Sequence, residues 1–278
     1  MVALAAIFPW THNARDLSHQ EIVFFVKSLP SYSRLAIEMT PTYLSRILAE
    51  LQSMAQLSEP ERLAKFSLSA SSPAAAWQHL AFLEVVLEAD LRNIRLYSID
   101  HDGYAAEREE ARKKGDFKKM IGLDEMREQV FAEALAELLP SKKKGTIPAL
   151  IGIGHVHELE KKLHAKKIPT QLNISIREQA AMQEIIQKDQ QIRARVSQNK
   201  IRQAIVALTE MRQKMQQLQS RPETLSAGAI GQHLNQRLIA WVQATAARDP
   251  RGSEKPRKTG FGERLRRAFK SRSGKRPR

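Results

Sequence analysis

The chain has 278 residues, of which 42% are hydrophobic, and its 45 basic and 30 acidic residues give a formal net charge of +15. This length is enough for one sizeable core with appendages. Because the chain contains no cysteine, disulfides, thiolate catalysis and cysteine-ligated zinc are excluded. The apolar segment at residues 1–10 has no basic region or cleavage site and is too short for a membrane span. We therefore predict no transmembrane segment, and a protein that is cytoplasmic or translocated without a signal peptide.

The positive charge is concentrated near the C-terminus. Residues 250–278 contain 12 of the 45 basic residues and two of the 30 acidic ones, a net charge of +10 that leaves +5 for the remaining residues. The body of the protein therefore has an ordinary charge balance. Residues 250–278 are predicted to form a polybasic tail that is largely disordered.

Strand-like and helix-like patterns alternate over residues 1–175. Strands are predicted at residues 2–8, 34–39, 94–99, 147–151 and 170–174. Helices are predicted at residues 16–29, 41–57, 72–91, 122–139 and 158–166, and the charged segment 107–119 is predicted to be an exposed helix or loop. This alternation predicts an α/β domain with a mainly parallel sheet covered by helices.

The pattern changes at about Ser175. Residues 177–219 contain no proline or glycine, and their apolar residues recur at threes, fours and sevens with one skip near Asn199. This predicts one long helix with an imperfect heptad seam. The apolar seam requires a partner, which is the α/β domain, the helix predicted at 228–247, a second copy or another protein. The skip favours a hairpin with the 228–247 helix. The predicted organisation is an α/β domain (1–175), a helical or coiled-coil arm (176–249) and the tail (250–278).

Candidate site residues follow three of the predicted strands. His155 ends the segment Gly152-Ile153-Gly154-His155 after the fourth strand, where glycine permits a tight turn and close approach to the backbone. His12 follows the first strand, and Glu38 lies at the end of the second. The carboxyl ends of parallel strands meet at one edge of a sheet, so these three side chains are expected to converge.

Two histidines and a carboxylate can bind a divalent metal ion, or act without metal as a general base and the group that orients it. The metal ligands would be His12, Glu38 and His155. The alternative interpretation is structural: the histidines are hydrogen-bonded turn residues and Glu38 pairs with an arginine such as Arg127, in the helix before the fourth strand. The cluster Asp100-His101-Asp102 after the third strand lies on the same edge and is interpreted as a solvated turn, with participation in the site as the alternative.

Taken together, these residues resemble the pattern of the TraB/Tiki superfamily, which includes ChaN-like and erythromycin-esterase-like proteins. The family pattern is GxxH, a glutamate in the second strand, an arginine in a later helix, and a second GxxH. Here Gly152-Ile153-Gly154-His155 is a full GxxH, Glu38 and Arg127 match in type and order, and Pro9-Trp10-Thr11-His12 has proline in place of the first glycine. The resemblance covers roughly residues 2–175.

The resemblance implies an α/β fold with a pocket at the strand edge. Members of the family are metal-dependent peptidases, metal-independent esterases, or binding proteins linked to haem or pheromones. It therefore implies a hydrolase with His12, Glu38, Arg127 and His155 as catalytic residues, and a divalent metal in the peptidase-like case. Because proline lacks an N–H and fixes φ, Pro9 favours the alternative of a catalytically degenerate α/β adaptor that acts through its arm and tail.

The tail contains a short amphipathic pattern. Phe261, Leu265, Ala268 and Phe269 fall on one face of a helix that is otherwise covered by arginine and lysine. Such a segment suits an anionic membrane surface, and its charges would also bind nucleic acid by counterion release. Basic C-terminal tails also resemble the secretion signals of some bacterial type IV systems, which would make the protein a translocated effector.

Overall fold

A computed structural model of the chain describes residues 4–10, 17–70, 74–139, 145–173, 179–219 and 227–248. His12 and residues 250–278, to which the sequence assigns roles, lie outside the described residues. The strands are β1 (Leu4–Trp10), β2 (Arg34–Ile37), β3 (Arg95–Ser98), β4 (Thr146–Gly152) and β5 (Thr170–Leu172). The helices are α1 (Leu17–Ser28), α2 (Pro41–Ala55), α3 (Glu59–Ala70), α4 (Ala74–Leu91), α5 (Tyr104–Lys113), α6 (Phe117–Leu138), α7 (Val156–Ala165), α8 (Gln179–Ser197), α9 (Ile201–Gln219) and α10 (Ala227–Arg248).

The strands form one five-stranded sheet in the order β3-β2-β4-β1-β5, and every pair is parallel. This confirms the predicted α/β class with covering helices. The helices cover both faces, and side chains along each strand alternate between two apolar cores. Leu35 and Ile37 of β2 enter the core formed with α1, α2, α4 and α10, whereas Ala36 enters the core formed with α6 and α7.

The start of α2 follows from local chemistry, as the sequence indicates. Thr40 has an extended backbone, and its hydroxyl accepts a hydrogen bond from the Tyr43 backbone N–H. Pro41 occupies the first turn, where a missing N–H costs no intrahelical bond.

Helix α3 was not expected from the sequence. The segment Ser58-Glu59-Pro60-Glu61 forms a capping box, in which the Glu61 carboxylate accepts hydrogen bonds from the backbone N–H and the hydroxyl of Ser58. The signal for a helix start was therefore present in the sequence. The helix places Phe66 in the same core as α2 and α4.

The prediction of one long helix over residues 177–219 is wrong. The chain turns at Asn199, whose φ of 61° is in the left-handed region, and this turn separates α8 from α9. The apolar stripe is buried between the two helices, where Ile192 and Val196 of α8 pack with Ala204 and Ala207 of α9. The skip at Asn199 thus marks a helical hairpin within the arm.

The expected hairpin between this segment and the last helix is also wrong, because α8 pairs with α9 while α10 packs on α3 and α4. Ile230, Leu234 and Leu238 of α10 are part of the core that covers one face of the sheet. Polar contacts add to this packing: Arg237 pairs with Glu88, and the Trp241 indole N–H donates to Asp90 at 2.6 Å. In the described ranges, no helix is both long and apolar enough to cross a bilayer.

Candidate functional site

The site lies at the carboxyl edge of the sheet, where β2 and β4 end side by side. The chain leaves β2 towards α2 on one face and leaves β4 towards α7 on the other, as the two cores require. A crevice opens where neighbouring strands diverge in this way, and ligands of open α/β sheets bind there. Glu38 is the first residue after β2, and a 3₁₀ turn, Ile153–His155, follows β4.

The side chain of Glu38 is buried, and hydrogen bonds hold this residue at the end of β2 against the end of β4. Its backbone N–H donates to the Leu150 carbonyl at 3.0 Å, which keeps it in register with β4. Its Oε2 accepts a hydrogen bond from the Gly152 backbone N–H, and its Oε1 lies 3.0 Å from Nη2 of Arg127. A buried carboxylate requires such partners, and here they come from a strand end and from helix α6.

Arg127 connects the ends of three strands. Its Nε donates to Oδ1 of Asp100 at 2.8 Å and its Nη2 to Oδ2 of the same carboxylate, which follows β3. Its Nη1 lies 2.9 Å from Nε2 of His155. The guanidinium also lies over the rings of Tyr104 and Phe131, at 4.4 and 5.1 Å from their centroids. Burial opposes the charge, but the Glu38 and Asp100 carboxylates outweigh it and raise the pKa of Arg127.

His155 is held as a neutral imidazole with a defined tautomer. Since Arg127 can only donate, Nε2 of His155 must accept, and Nδ1 therefore carries the proton and donates to Oε1 of Glu128 at 2.8 Å. Burial lowers the pKa of His155 to about 4, with Arg127 adding to the effect and Glu38 opposing it. Nε2 of His155 lies 3.8 Å from Oε1 of Glu38.

A second ion pair lies behind His155. Arg193 of α8 donates to Oε2 of Glu128 at 3.0 Å and to Oε1 at 2.6 Å, and its Nε donates to Asp189 at 2.7 Å. Burial raises the pKa of Glu128 to about 7, and the positive charge of Arg193 opposes this shift. The Glu128 side chain is fully buried, whereas 15% of the His155 side chain and 14% of the Arg127 side chain remain exposed. Solvent therefore reaches the site on the Arg127 and His155 side.

The structure brings together three of the four residues predicted to be catalytic, namely Glu38, Arg127 and His155. The fourth, His12, is two residues beyond Trp10, which pairs with Gly152 in the sheet, and it lies outside the described residues. Pro9 is accommodated within β1 because the pairing of β1 with β5 ends at Ile7, so no ladder N–H is required on that side.

The interpretation of Asp100 as a solvated turn residue is wrong, because Asp100 is buried and bound to Arg127. The glycines of the GxxH segment also act differently from the expectation. Gly152 has a φ of −57°, and a Cβ on Gly154 would meet no atom within 4 Å. The turn therefore needs no left-handed backbone at Gly152 and has room for a side chain at Gly154, and Gly152 contributes its N–H to Glu38.

Sequence reasoning missed Glu128, Arg193 and Asp189. The sequence feature that could have identified these residues is a charged side chain on an otherwise apolar face of a helix. In α6, Glu128 shares the buried face of Phe131 and Leu135, and in α8 Asp189 and Arg193 are buried on the face of Ile192 and Val196. Charges at such positions must pair with one another, since an unpaired buried charge is too costly.

The described residues do not fit a divalent metal ion. Both ring nitrogens of His155 and both oxygens of Glu38 are engaged by other groups, and the positive guanidinium of Arg127 lies within 3.0 Å of both side chains. No group of three or more His, Cys, Asp or Glu side chains suited to a metal occurs among the residues that the structure describes. We therefore derive no chemical step through a metal.

Comparison of the chain with known protein families, with characterised proteins and with solved structures found no significant match.

Proposed function

We propose that the protein is a hydrolase of the TraB/Tiki type that cleaves an ester or a related acyl bond without metal, with His155 as the general base. The observation that carries this proposal is the state of His155, which is neutral, oriented through Nδ1, and partly open to solvent beside Arg127. A histidine kept neutral well below pH 7 is available as a base at physiological pH. Its position at the divergence of β2 and β4 is where an α/β protein binds its ligand.

The proposed chemistry begins with the contact between Arg127 and His155. A substrate carbonyl oxygen accepts the Nη1 N–H of Arg127 that faces His155 in the free protein, and this releases the Nε2 lone pair. Nε2 then removes a proton from water as the water oxygen bonds to the acyl carbon, and Arg127 stabilises the negative oxygen that develops. His155 passes the proton to the leaving oxygen as the acyl–oxygen bond breaks. Glu38 and Asp100 hold Arg127 in place throughout.

A second function is favoured by the extent of pairing in the same network. Three of the five N–H groups of Arg127 donate hydrogen bonds to Asp100 and His155, and Nη2 also forms an ion pair with Glu38, all within the described part of the chain. Arg193 joins the network from the arm. A network this complete also suits a structural role. The alternative proposal is therefore a catalytically degenerate α/β adaptor, which acts through its helical arm and its basic tail.

The test compares wild type, His155→Gln and His157→Gln on a panel of nitrophenyl esters and a mixed peptide library, with and without a chelator. His157 is the matched control, because it lies two residues further on and its ion pair, among the residues that the structure describes, is with Glu158 and not with the site. We expect His155→Gln to lower kcat/KM by about 10²–10⁴-fold and His157→Gln to leave it unchanged.

Equal activity of wild type and His155→Gln would exclude the proposed mechanism. If wild type hydrolyses none of the substrates, the adaptor function is supported instead. A loss of activity on chelation that a divalent ion restores would instead support a metal-dependent form. His12→Ala then tests whether His12 supplies a ligand.

A further inference from the structure

The helical hairpin α8–α9 contributes a side chain to the network that orients His155. This hairpin lies beyond the residues that carry the family resemblance. Arg193 of α8 is buried, and it reaches the site from a position 65 residues away from Glu128 in the chain. The hairpin therefore packs beside the α/β core and also supplies a residue to the site.

The contact between the hairpin and the histidine passes through one oxygen atom. Oε1 of Glu128 accepts both the 2.6 Å hydrogen bond from Nη2 of Arg193 and the 2.8 Å hydrogen bond from Nδ1 of His155. Oε2 accepts the second N–H of the guanidinium at 3.0 Å. A paired contact of this kind fixes the carboxylate plane as well as its position, because the two donors of a guanidinium are rigidly spaced.

Arg193 is itself held from two further directions. Its Nε donates to Asp189, one helical turn earlier in α8, and Nη2 also lies 3.3 Å from the Gly154 carbonyl in the turn that carries His155. The helix is seated by Ile192 and Val196, which are buried against α9. The orientation of the Arg193 guanidinium thus depends on the docked hairpin.

We propose that Arg193 is a positioning residue, which aligns Glu128 so that its Oε1 holds His155 in the Nδ1–H tautomer. The docked α8–α9 hairpin then determines whether the site is competent. The effect on turnover rests on the proposed hydrolase function, whereas the effect on the His155 tautomer does not. Without Arg193, Glu128 would lose the paired contact that fixes its carboxylate plane and the largest of the positive charges that oppose the effect of burial. Its carboxyl group would therefore take up a proton more readily. A neutral carboxyl group can turn its own O–H towards the ring and no longer specifies one tautomer.

The test uses the full chain with Arg193→Gln, Arg193→Lys and the control Arg195→Gln. Arg195 lies on the same helix but donates to the Gln203 carbonyl in the hairpin, so its replacement removes a charge without touching Glu128. The readout is the ¹⁵N NMR signature of the His155 ring, followed through a pH titration. Above pH 7, where Glu128 is ionised, wild type should show one neutral tautomer with Nδ1 protonated. The titration midpoint of His155 should be at about 4.

For Arg193→Gln we expect a mixture of tautomers and a midpoint shifted to higher pH, because a nearby positive charge has been removed. Arg193→Lys should give an intermediate result, since an ammonium group keeps the charge but cannot form the paired contact. Arg195→Gln should match wild type. If a hydrolysed substrate is found, kcat of Arg193→Gln should fall by about tenfold or more with little change in KM.

A folded Arg193→Gln protein with the wild-type tautomer and titration overturns the proposal. Should Arg193→Gln not fold, Asp189→Asn is measured in the same way, because it releases only the Nε side of Arg193. A second tautomer in that variant supports the proposal, and an unchanged His155 signature overturns it. An altered tautomer in a protein that hydrolyses nothing would mean that the positioning role holds and the proposed function fails.

Discussion

Nη1 of Arg127 donates to Nε2 of His155 across 2.9 Å, so an arginine and a histidine meet as donor and acceptor and not as two cations. The contact requires the imidazole to be neutral. It also requires a counter-charge for Arg127, and Glu38 and Asp100 provide it from the ends of β2 and β3. The central part of the site is thus one cation held between two carboxylates, with a neutral histidine on its remaining side.

The contribution of His155 to stability should depend on pH. The folded pKa of about 4 is below the value of 6.5 in the unfolded chain, so between these values the unfolded state binds more protons. The contribution of His155 to the free energy of unfolding is therefore fully present above pH 6.5 and is lost as the pH falls towards 4. The loss is at most about 3 kcal/mol. The measurement is the free energy of unfolding in urea from pH 4 to 7.5, for wild type and His155→Gln. The difference between the two proteins should change with pH in this window; a constant difference would mean that His155 titrates normally.

Glu38→Gln should destabilise the fold by about 3 kcal/mol, because it leaves Arg127 with one buried partner fewer. The side-chain amide of glutamine would also place its own N–H donor against either the Gly152 N–H or the guanidinium. Both of these groups are donors, so neither could accept it. The control is Glu109→Gln, which removes an exposed ion pair with Arg112 and should leave the free energy of unfolding almost unchanged, because solvent screens such a pair. Urea denaturation monitored by circular dichroism measures both. Equal effects of the two substitutions would contradict the assignment of Glu38 to a buried network.

Asn199→Ala should destabilise the helical hairpin by about 1 kcal/mol, whereas Asn199→Gly should be close to neutral. The reason is the left-handed backbone at this turn, with a φ of 61°, which alanine adopts only with strain and glycine adopts freely. Hydrogen exchange of α8 and α9 amides would report the local effect. If both variants behave alike, the turn is not at Asn199.

Leu238→Ala should destabilise the whole protein by about 2–5 kcal/mol, because Leu238 is buried in the core shared by α10 and the sheet. Val242→Ala on the same helix is the control, since 36% of Val242 is exposed, and it should cost less than about 1 kcal/mol. A single cooperative unfolding transition that shifts for Leu238→Ala would show that α10 unfolds with the α/β core. A separate transition for α10 would contradict this.

For the tail we propose binding to an anionic membrane surface through the stripe of Phe261 and Phe269, both outside the described residues. The full chain should sediment with vesicles that contain phosphatidylserine, and the binding should weaken as salt is raised. Phe261→Ala/Phe269→Ala keeps the charge and should bind less well. If the double variant binds as well as wild type, the tail is a simple polycation, and nucleic acid becomes the preferred partner.

The sequence by itself determined the fold class and the main part of the site. Strand and helix periods differ, so the alternation over residues 1–175 could be read locally, and Thr40-Pro41 marked a helix start that the structure confirms. Glu38 and His155 were expected to meet because parallel strands end at a common edge, whatever their order in the sheet. That argument needs only the position of each residue along its own strand.

The tertiary structure decided the strand order, the turn at Asn199, the packing of α10, and the pairing of Arg193 with Glu128. Each of these depends on contacts between distant segments: Arg193 and Glu128 are 65 residues apart, and Arg237 and Glu88 are 149 apart. The apolar seam of a heptad pattern can be buried equally well in a hairpin, in a dimer or on a neighbouring helix. The period of the pattern therefore does not determine which partner buries it. A buried charge in a helix shows in the sequence that it must have a counter-charge, but which one it meets is set by how the helices are brought together around the sheet.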